Sequence, residues 1–212
     1  METLARMPKQ NRSHASFERV LEAAMALLQE RGYEDFTLNE VSRRSGVSIG
    51  SIYGRVDSKD ALIRTVQTRA LVDIEDKERR VTDSARWQGY GLDRLVPGVL
   101  SELGEFLKEN SALLRAFMVR APIDPVIAQT GKRSHEAMAV RFETLLLSRR
   151  NEISHPEPER AVHACFAMAY ASYARYLGLG SAMDAAGEGD WTALKGDISL
   201  MALCFLKYRP AS

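Results

Sequence analysis

Hydrophobic residues recur along nearly the whole chain at helical spacing, and period-two alternation is almost absent. Apolar side chains three and four apart share one face of a helix, whereas a half-buried strand needs strict alternation. A chain patterned this way folds as all-α. Phe17, Val20, Leu21, Ala24 and Leu28 form one such face, and Gly32 is placed to end that helix in a left-handed conformation. Val96, Val99, Leu100, Leu103 and Leu107 outline another, with Pro97 expected in its first turn. A separate pattern runs from Leu113 to Val119 and stops at Pro122, and Met138, Phe142 and Leu145 mark a longer one. With 212 residues, 45% of them hydrophobic, the chain can bury a core without disulfide or metal staples.

The last two patterns differ from the rest. Val162, Phe166, Ala169 and Tyr173 form one apolar face while Cys165, Met168 and Ala171 supply a second. Trp191, Leu194, Ile198, Met201 and Phe205 likewise share a helix with Leu200, Leu203 and Cys204. Helices apolar around most of their circumference must be covered on several sides. A central place in the chain's own core would give that cover, and so would a partner copy; the partner copy is the expected one, with Val162, Tyr173, Ile198, Met201 and Phe205 at the seam. Two stretches read as connections: DSARWQGYGLD, and the glycine-rich, acidic GLGSAMDAAGEGD between Gly178 and Asp190. Cys165 and Cys204 lie in apolar helical patterns, where a thiol acts as a small hydrophobe. No apolar run approaches the ~18 residues of a membrane span, and the first sixteen residues lack a signal-peptide core. The expectation is a cytoplasmic protein with no membrane contact.

The segment YEDFTLNEVSRRSGVSIGSIYGRVDSKDAL, from Tyr33 to Leu62, carries the strongest local signals. Thr37 and Glu40 have the spacing of a capping box, each side chain expected to satisfy a backbone N–H of the other. Phe36 and Val41 fit the accompanying hydrophobic staple, and Val47 with Ile52 repeats it behind the cap Ser48. Gly46 separates the two short helices, and Ser58 caps a further helix from Lys59. Two short helices about a glycine turn, behind a longer amphipathic one, describe a helix-turn-helix head. From Val41 to Lys59 four bases, Arg43, Arg44, Arg55 and Lys59, face one acid, Asp57. A preceding arm adds Arg6, Lys9 and Arg12 against Glu2. The whole chain is nearly neutral at +1, so the basic surface is local to this head, as phosphate binding requires.

Residues 17–63 resemble the N-terminal head of the tetracycline-repressor (TetR) family of bacterial transcription regulators. The stretch LEAAMALLQERGYEDFTLNEVSRRSGVS, the Gly-Ser-Ile-Tyr that follows, and SKDAL carry the resemblance in order. It implies a recognition helix from Ser48 to Arg55, with Thr37, Tyr53 and Lys59 on phosphates. It also implies a homodimer whose last two helices build a four-helix bundle. The chain departs from the pattern at Ile49, where the family often has a basic or polar residue, at Gly54, where it has an aromatic or His, and at Val56, where Phe is common. Ile49 suits a thymine methyl group, and Arg55 can take over at the bare helix end, on guanine or on phosphate.

Gly46-Val47-Ser48-Ile49-Gly50 matches the G-x-S-x-G of serine hydrolases, but a capped helix precedes it where that motif needs a strand. His135-Glu136 lacks the second histidine of a zinc helix, since position 139 is alanine, and the four histidines have no ligand spacing. No catalytic set, metal or cofactor is expected. The reading is an all-α regulator with a DNA-binding head at residues 1–60, its flexible N-terminal arm included, and a sensing and dimerisation body at 61–212. DNA contacts are expected from Thr37, Arg44, Ser48, Ile49, Ser51, Tyr53, Arg55 and Lys59. An apolar or aromatic small-molecule effector is expected among Trp87, Phe106, Phe117, Met138, Phe142, Phe166 and Tyr170. The partners are thus a double-stranded operator, that effector and a second copy of the chain.

Overall fold

The computed structural model describes residues 9–180 and 186–210, with side chains from Ser13 onward. Among the described residues there is no strand. The helices are α1 (Lys9–Arg31), α2 (Leu38–Ser45), α3 (Ile49–Tyr53), α4 (Lys59–Val81), α5 (Leu92–Arg120), α6 (Pro125–Leu147), α7 (Pro158–Tyr176) and α8 (Trp191–Leu206), with a single 3-10 turn at Arg150–Glu152. The chain divides into two compact units between Ala70 and Leu71, inside α4. Leu62, Ile63 and Val66, in the first turns of α4, are fully buried. Those turns therefore belong to the first unit's core, ten residues beyond the expected edge at 60.

In the first unit, Val20, Leu21, Ala24, Leu27 and Leu28 bury one face of α1. Gly32 closes that helix at φ +74°, its N–H bonded to the Leu28 carbonyl at 2.9 Å. Helix α1 begins at Lys9, so Lys9 and Arg12 lie within a helix; Arg6 lies outside the described residues. Both staples are packed: Phe36 with Val41, and Val47 with Ile52, are buried. The capping box closes by half. Thr37 Oγ1 accepts the Glu40 N–H at 3.3 Å, but the Glu40 carboxylate takes the Thr37 hydroxyl at 3.0 Å and pairs with Arg31. A guanidinium outcompetes a neutral backbone N–H for a carboxylate, which explains the open half.

In the second unit α5 is the spine, packed against α6, α7 and α8. Leu92, Leu95, Val96, Val99, Leu100, Leu103 and Leu107 are all buried along it. The two helices expected here are one helix of 29 residues. Its middle, KENSA, holds no helix breaker, and Asn110 is buried with its amide donating to the Phe106 carbonyl at 2.7 Å. Pro97 falls in the second turn, where it removes a single backbone donor while buried leucines and valines hold the helix on either side. The loop around Trp87 is pinned. Trp87 Nε1 donates to the Val81 carbonyl at 2.7 Å, its ring fills the space over Gly98, and Arg149 donates to the Trp87 and Tyr90 carbonyls. In the second expected connection, Gly178, Gly180, Gly187 and Gly189 have positive φ, and residues 181–185 lie outside the described residues.

Candidate nucleic-acid interface

Helix α3 has five residues and is tied at both ends. Ser48 Oγ accepts the Ser51 N–H at 3.3 Å and shares a 2.8 Å hydrogen bond with Ser51 Oγ. At the far end the Gly54 N–H bonds the Gly50 carbonyl at 3.0 Å. Ile52 is the buried residue that anchors α3, which leaves Gly50, Ser51, Tyr53, Gly54 and Arg55 exposed and Ile49 half-exposed. Tyr53 is 53% exposed, so its ring and hydroxyl are open to a partner. Ser48 is a helix cap after a helix and a left-handed Gly46 (φ 66°), so its G-x-S-x-G context has none of the strand geometry of a nucleophile elbow.

The cations around α2 and α3 are held in place by neighbours. Arg44 makes a two-pronged pair with Glu30 at 2.6 and 2.7 Å, which holds the Glu30 carboxyl below its usual range and raises Arg44. Arg43 lies 3.5 Å from Glu40, whose carboxyl is held low by the Thr37 hydroxyl first and Arg31 next. Lys59 Nζ donates to the Tyr33 carbonyl at 2.9 Å and stands 4.0 Å over the Tyr33 ring. Arg55 is folded back onto α1, donating to the Ser13 carbonyl at 2.5 Å and to its hydroxyl, 5.0 Å over the Phe17 ring. Thr37, Arg44, Ser48, Ser51, Tyr53 and Arg55 are all exposed, and Lys59 is half-buried. Positive groups kept extended by local pairs lose less rotamer entropy on meeting a phosphate.

Residues 20–66 match the family model described as bacterial regulatory proteins, tetR family. The match lies on the helix-turn-helix head, from α1 into the first turns of α4. An uncharacterized HTH-type transcriptional regulator of Mycobacterium bovis is 40% identical over 85 residues, covering 37% of this chain and 40% of the relative. One of Bacillus subtilis is 28% identical over 71 residues, covering 34% and 36%. The chain thus spans well under two thirds of the curated relatives it matches. In fold the likeness extends further: a protein of Mesorhizobium loti assigned to the TetR-family regulators superposes with a TM-score of 0.73 at 19% identity, covering 92% of this chain and 96% of that one.

Against the TetR pattern, the departures have local consequences. Val56 is buried and fills the inward position with less bulk. Gly54 sits at φ −67°, and an added Cβ would rest 3.5 Å from the Gly50 carbonyl, so the backbone does not require glycine there. Its effect is to open the surface beside Arg55. Sequence reasoning missed Ser13 and Ser16, which line that opening, because they read as part of an arm before the first helix.

The body residues sort into groups. Met138, Phe142, Phe166 and Tyr170 gather where α6 meets α7, with Phe142–Phe166 centroids 5.3 Å apart and Phe166–Tyr170 5.9 Å. His135, which carried no role in the sequence, joins them 4.4 Å from Tyr170, and its Nδ1 is buried without a hydrogen-bond partner among the described residues. Burial holds the His135 pKa below its usual value. Phe106 and Phe117 are buried on α5, and Trp87 is committed to the Val81 carbonyl. Of the expected seam, Val162, Tyr173 and Ile198 are buried within the chain itself, where α5, α7 and α8 pack. Met201 is 48% exposed, while Phe205 is half-buried, 4.7 Å from His155.

Proposed function

We propose that the protein is a DNA-binding transcription regulator that acts as a homodimeric, ligand-responsive repressor. The observation that carries the reading is α3: one anchored side chain, an exposed face bearing Tyr53, and four cations arrayed around it. Ile49 reads a base edge, while Thr37, Arg44, Ser51, Tyr53 and Lys59 position the backbone. Ser48 serves the surface as the cap of α3. Two heads, one from each copy, dock in successive major grooves about 34 Å apart.

The second copy covers α7 and α8. Leu200 is 62% exposed, Cys204 is exposed beside Met201, and Ala167 and Ala171 are exposed on α7. Small residues on one helix and long apolar ones on the next suit close packing of a four-helix seam. The effector is an apolar or aromatic molecule taken up at the α6–α7 cluster, with the unpartnered His135 nitrogen as its polar anchor. Binding there weakens operator affinity by no more than the effector's preference between two states, about 1–3 kcal/mol of coupling. Helix α4, which runs from the first unit into the second, carries the change.

Selection of fragments bound from the source genome, followed by anisotropy titration, tests the reading. The expected result is a shared pseudo-palindromic site bound by two chains, released by a compound from a small-molecule screen. Fragments that share no motif and bind like bulk DNA would overturn it.

A further inference from the structure

Beside Arg55 the first unit holds a cleft of about 300 Å³ whose α1 wall the DNA reading above does not use. Its floor is apolar, with Phe17 and Val20 from α1. Its mouth is polar: the hydroxyls of Ser13 and Ser16 from α1, Ser51 from α3, and the Arg55 guanidinium. The volume far exceeds the ~15 Å³ that holds one water. Gly54 supplies no side chain to fill it.

Arg55 differs from its neighbours. Arg43 and Arg44 pair with Glu40 and Glu30, whereas among the described residues no carboxylate pairs with Arg55. It spends Nη2 on the Ser13 carbonyl and hydroxyl, and among the described residues Nε and Nη1 have no acceptor. Ser16 Oγ also donates to the Ser13 carbonyl, at 2.8 Å, so that oxygen is shared between a hydroxyl and a guanidinium. A cation with free donors, three hydroxyls and an open volume form a site for a tetrahedral oxyanion.

We infer that this cleft seats a backbone phosphate of duplex DNA, held by Arg55 and the hydroxyls of Ser13, Ser16 and Ser51. The inference rests on the DNA-binding reading, and it adds α1 to the contact surface. DNA is the source because Ser51 of α3, with Gly54 and Arg55 just past its end, lines the cleft, and all three are exposed on the head that carries the DNA reading. Arg55 is the residue that changes partner: Ser13 holds it near the Phe17 ring in the free protein, and the phosphate takes its remaining donors on binding. Gly54 then has a purpose that turn geometry does not give it, since the strand needs the space where a side chain would stand.

The test uses the full chain and a mixed-sequence duplex, followed by anisotropy across a salt series. Arg55→Gln should flatten the salt slope by about one unit. Ser13→Ala/Ser16→Ala should weaken binding about tenfold, the scale of one lost charge-assisted hydrogen bond. Gly54→Leu should fill the cleft and weaken binding as much while the melting temperature holds, because a Cβ is tolerated there. Wild-type affinity in both the double-serine and Gly54→Leu proteins would overturn the inference while leaving DNA binding in place. A wild-type chain that binds no duplex would overturn the DNA reading itself. Inorganic phosphate is the third arm. If it raises the melting temperature of wild type but not of Arg55→Gln, while the serine variants bind DNA normally, the site belongs to a free anion and the DNA assignment falls.

Discussion

Removing Arg141 should cost the second unit far more than an exposed charge normally would. Glu78 lies on α4 in line with Ile74 and Val81, all three buried. Arg141 on α6 donates Nε to Glu78 Oε2 at 2.7 Å, and Nη2 to the same oxygen. The other carboxylate oxygen, Oε1, is buried with no partner among the described residues. The Glu78 side chain is 2% exposed and that of Arg141 27%. The pair is therefore asymmetric: one ion is fully enclosed and the other still reaches water.

Breaking a buried pair by deleting one partner costs roughly 3–5 kcal/mol, because the ion left behind is uncompensated. Arg141→Met leaves the enclosed ion, and the partial exposure of the arginine puts the expected loss near the low end, about 3 kcal/mol. At about 2–4 °C per kcal/mol for a chain of this size, the melting temperature should fall by roughly 6–12 °C. Glu78→Gln leaves the ion that can turn toward solvent and should cost about 1–2 kcal/mol. The double variant Glu78→Leu/Arg141→Met removes both charges and should come within about 1 kcal/mol of wild type, since apolar replacement of a buried pair is often neutral. Because the two units need not unfold together, thermal melts should be paired with hydrogen exchange of the Ile74–Val81 amides. If Arg141→Met costs less than Glu78→Gln, or the double variant equals the sum of the singles, the asymmetry argument fails.

Other expectations follow from the same kind of contact. A Cβ on Gly98 would come within 2.5 Å of Trp87 Cζ3, so Gly98→Ala should lose about 1–3 kcal/mol in urea melts, with Trp87→Leu/Gly98→Ala losing no more than Trp87→Leu alone. Burial holds the His135 pKa below 6.5, so the unfolded chain takes up this proton first and stability falls as pH drops from 6.5 toward the folded value. In His135→Phe that part of the pH dependence should vanish, and identical melting curves against pH for the two proteins would remove His135 from the account. Leu200→Glu should give folded monomers by sedimentation if the exposed α8 face is the seam. A variant that stays dimeric would move the interface elsewhere.

How far the structure could be read beforehand depends on how local its causes are. The helix-turn-helix was legible because caps, staples and glycine turns act over three or four residues, and Thr37, Ser48, Gly32 and Gly46 each do what their spacing implies. The division of α5 was misread because a polar stretch resembles a break unless one knows that Asn110 is buried and bonded to the turn before it. Glu78 shows the same limit more sharply. It shares the buried face of Ile74 and Val81, and a carboxylate there becomes credible only when Arg141, 63 residues away, is known to meet it. The seam has a related limit. Two-faced apolarity says that α7 and α8 are covered on both sides, and it cannot say which face belongs to α5 and which to another copy. Val162, Tyr173 and Ile198 took the inner face, which leaves Leu200, Met201 and Cys204 to whatever lies outside. The cleft beside Arg55 was least legible of all, since it exists only because residues 13 and 55 meet across a gap left by a missing side chain.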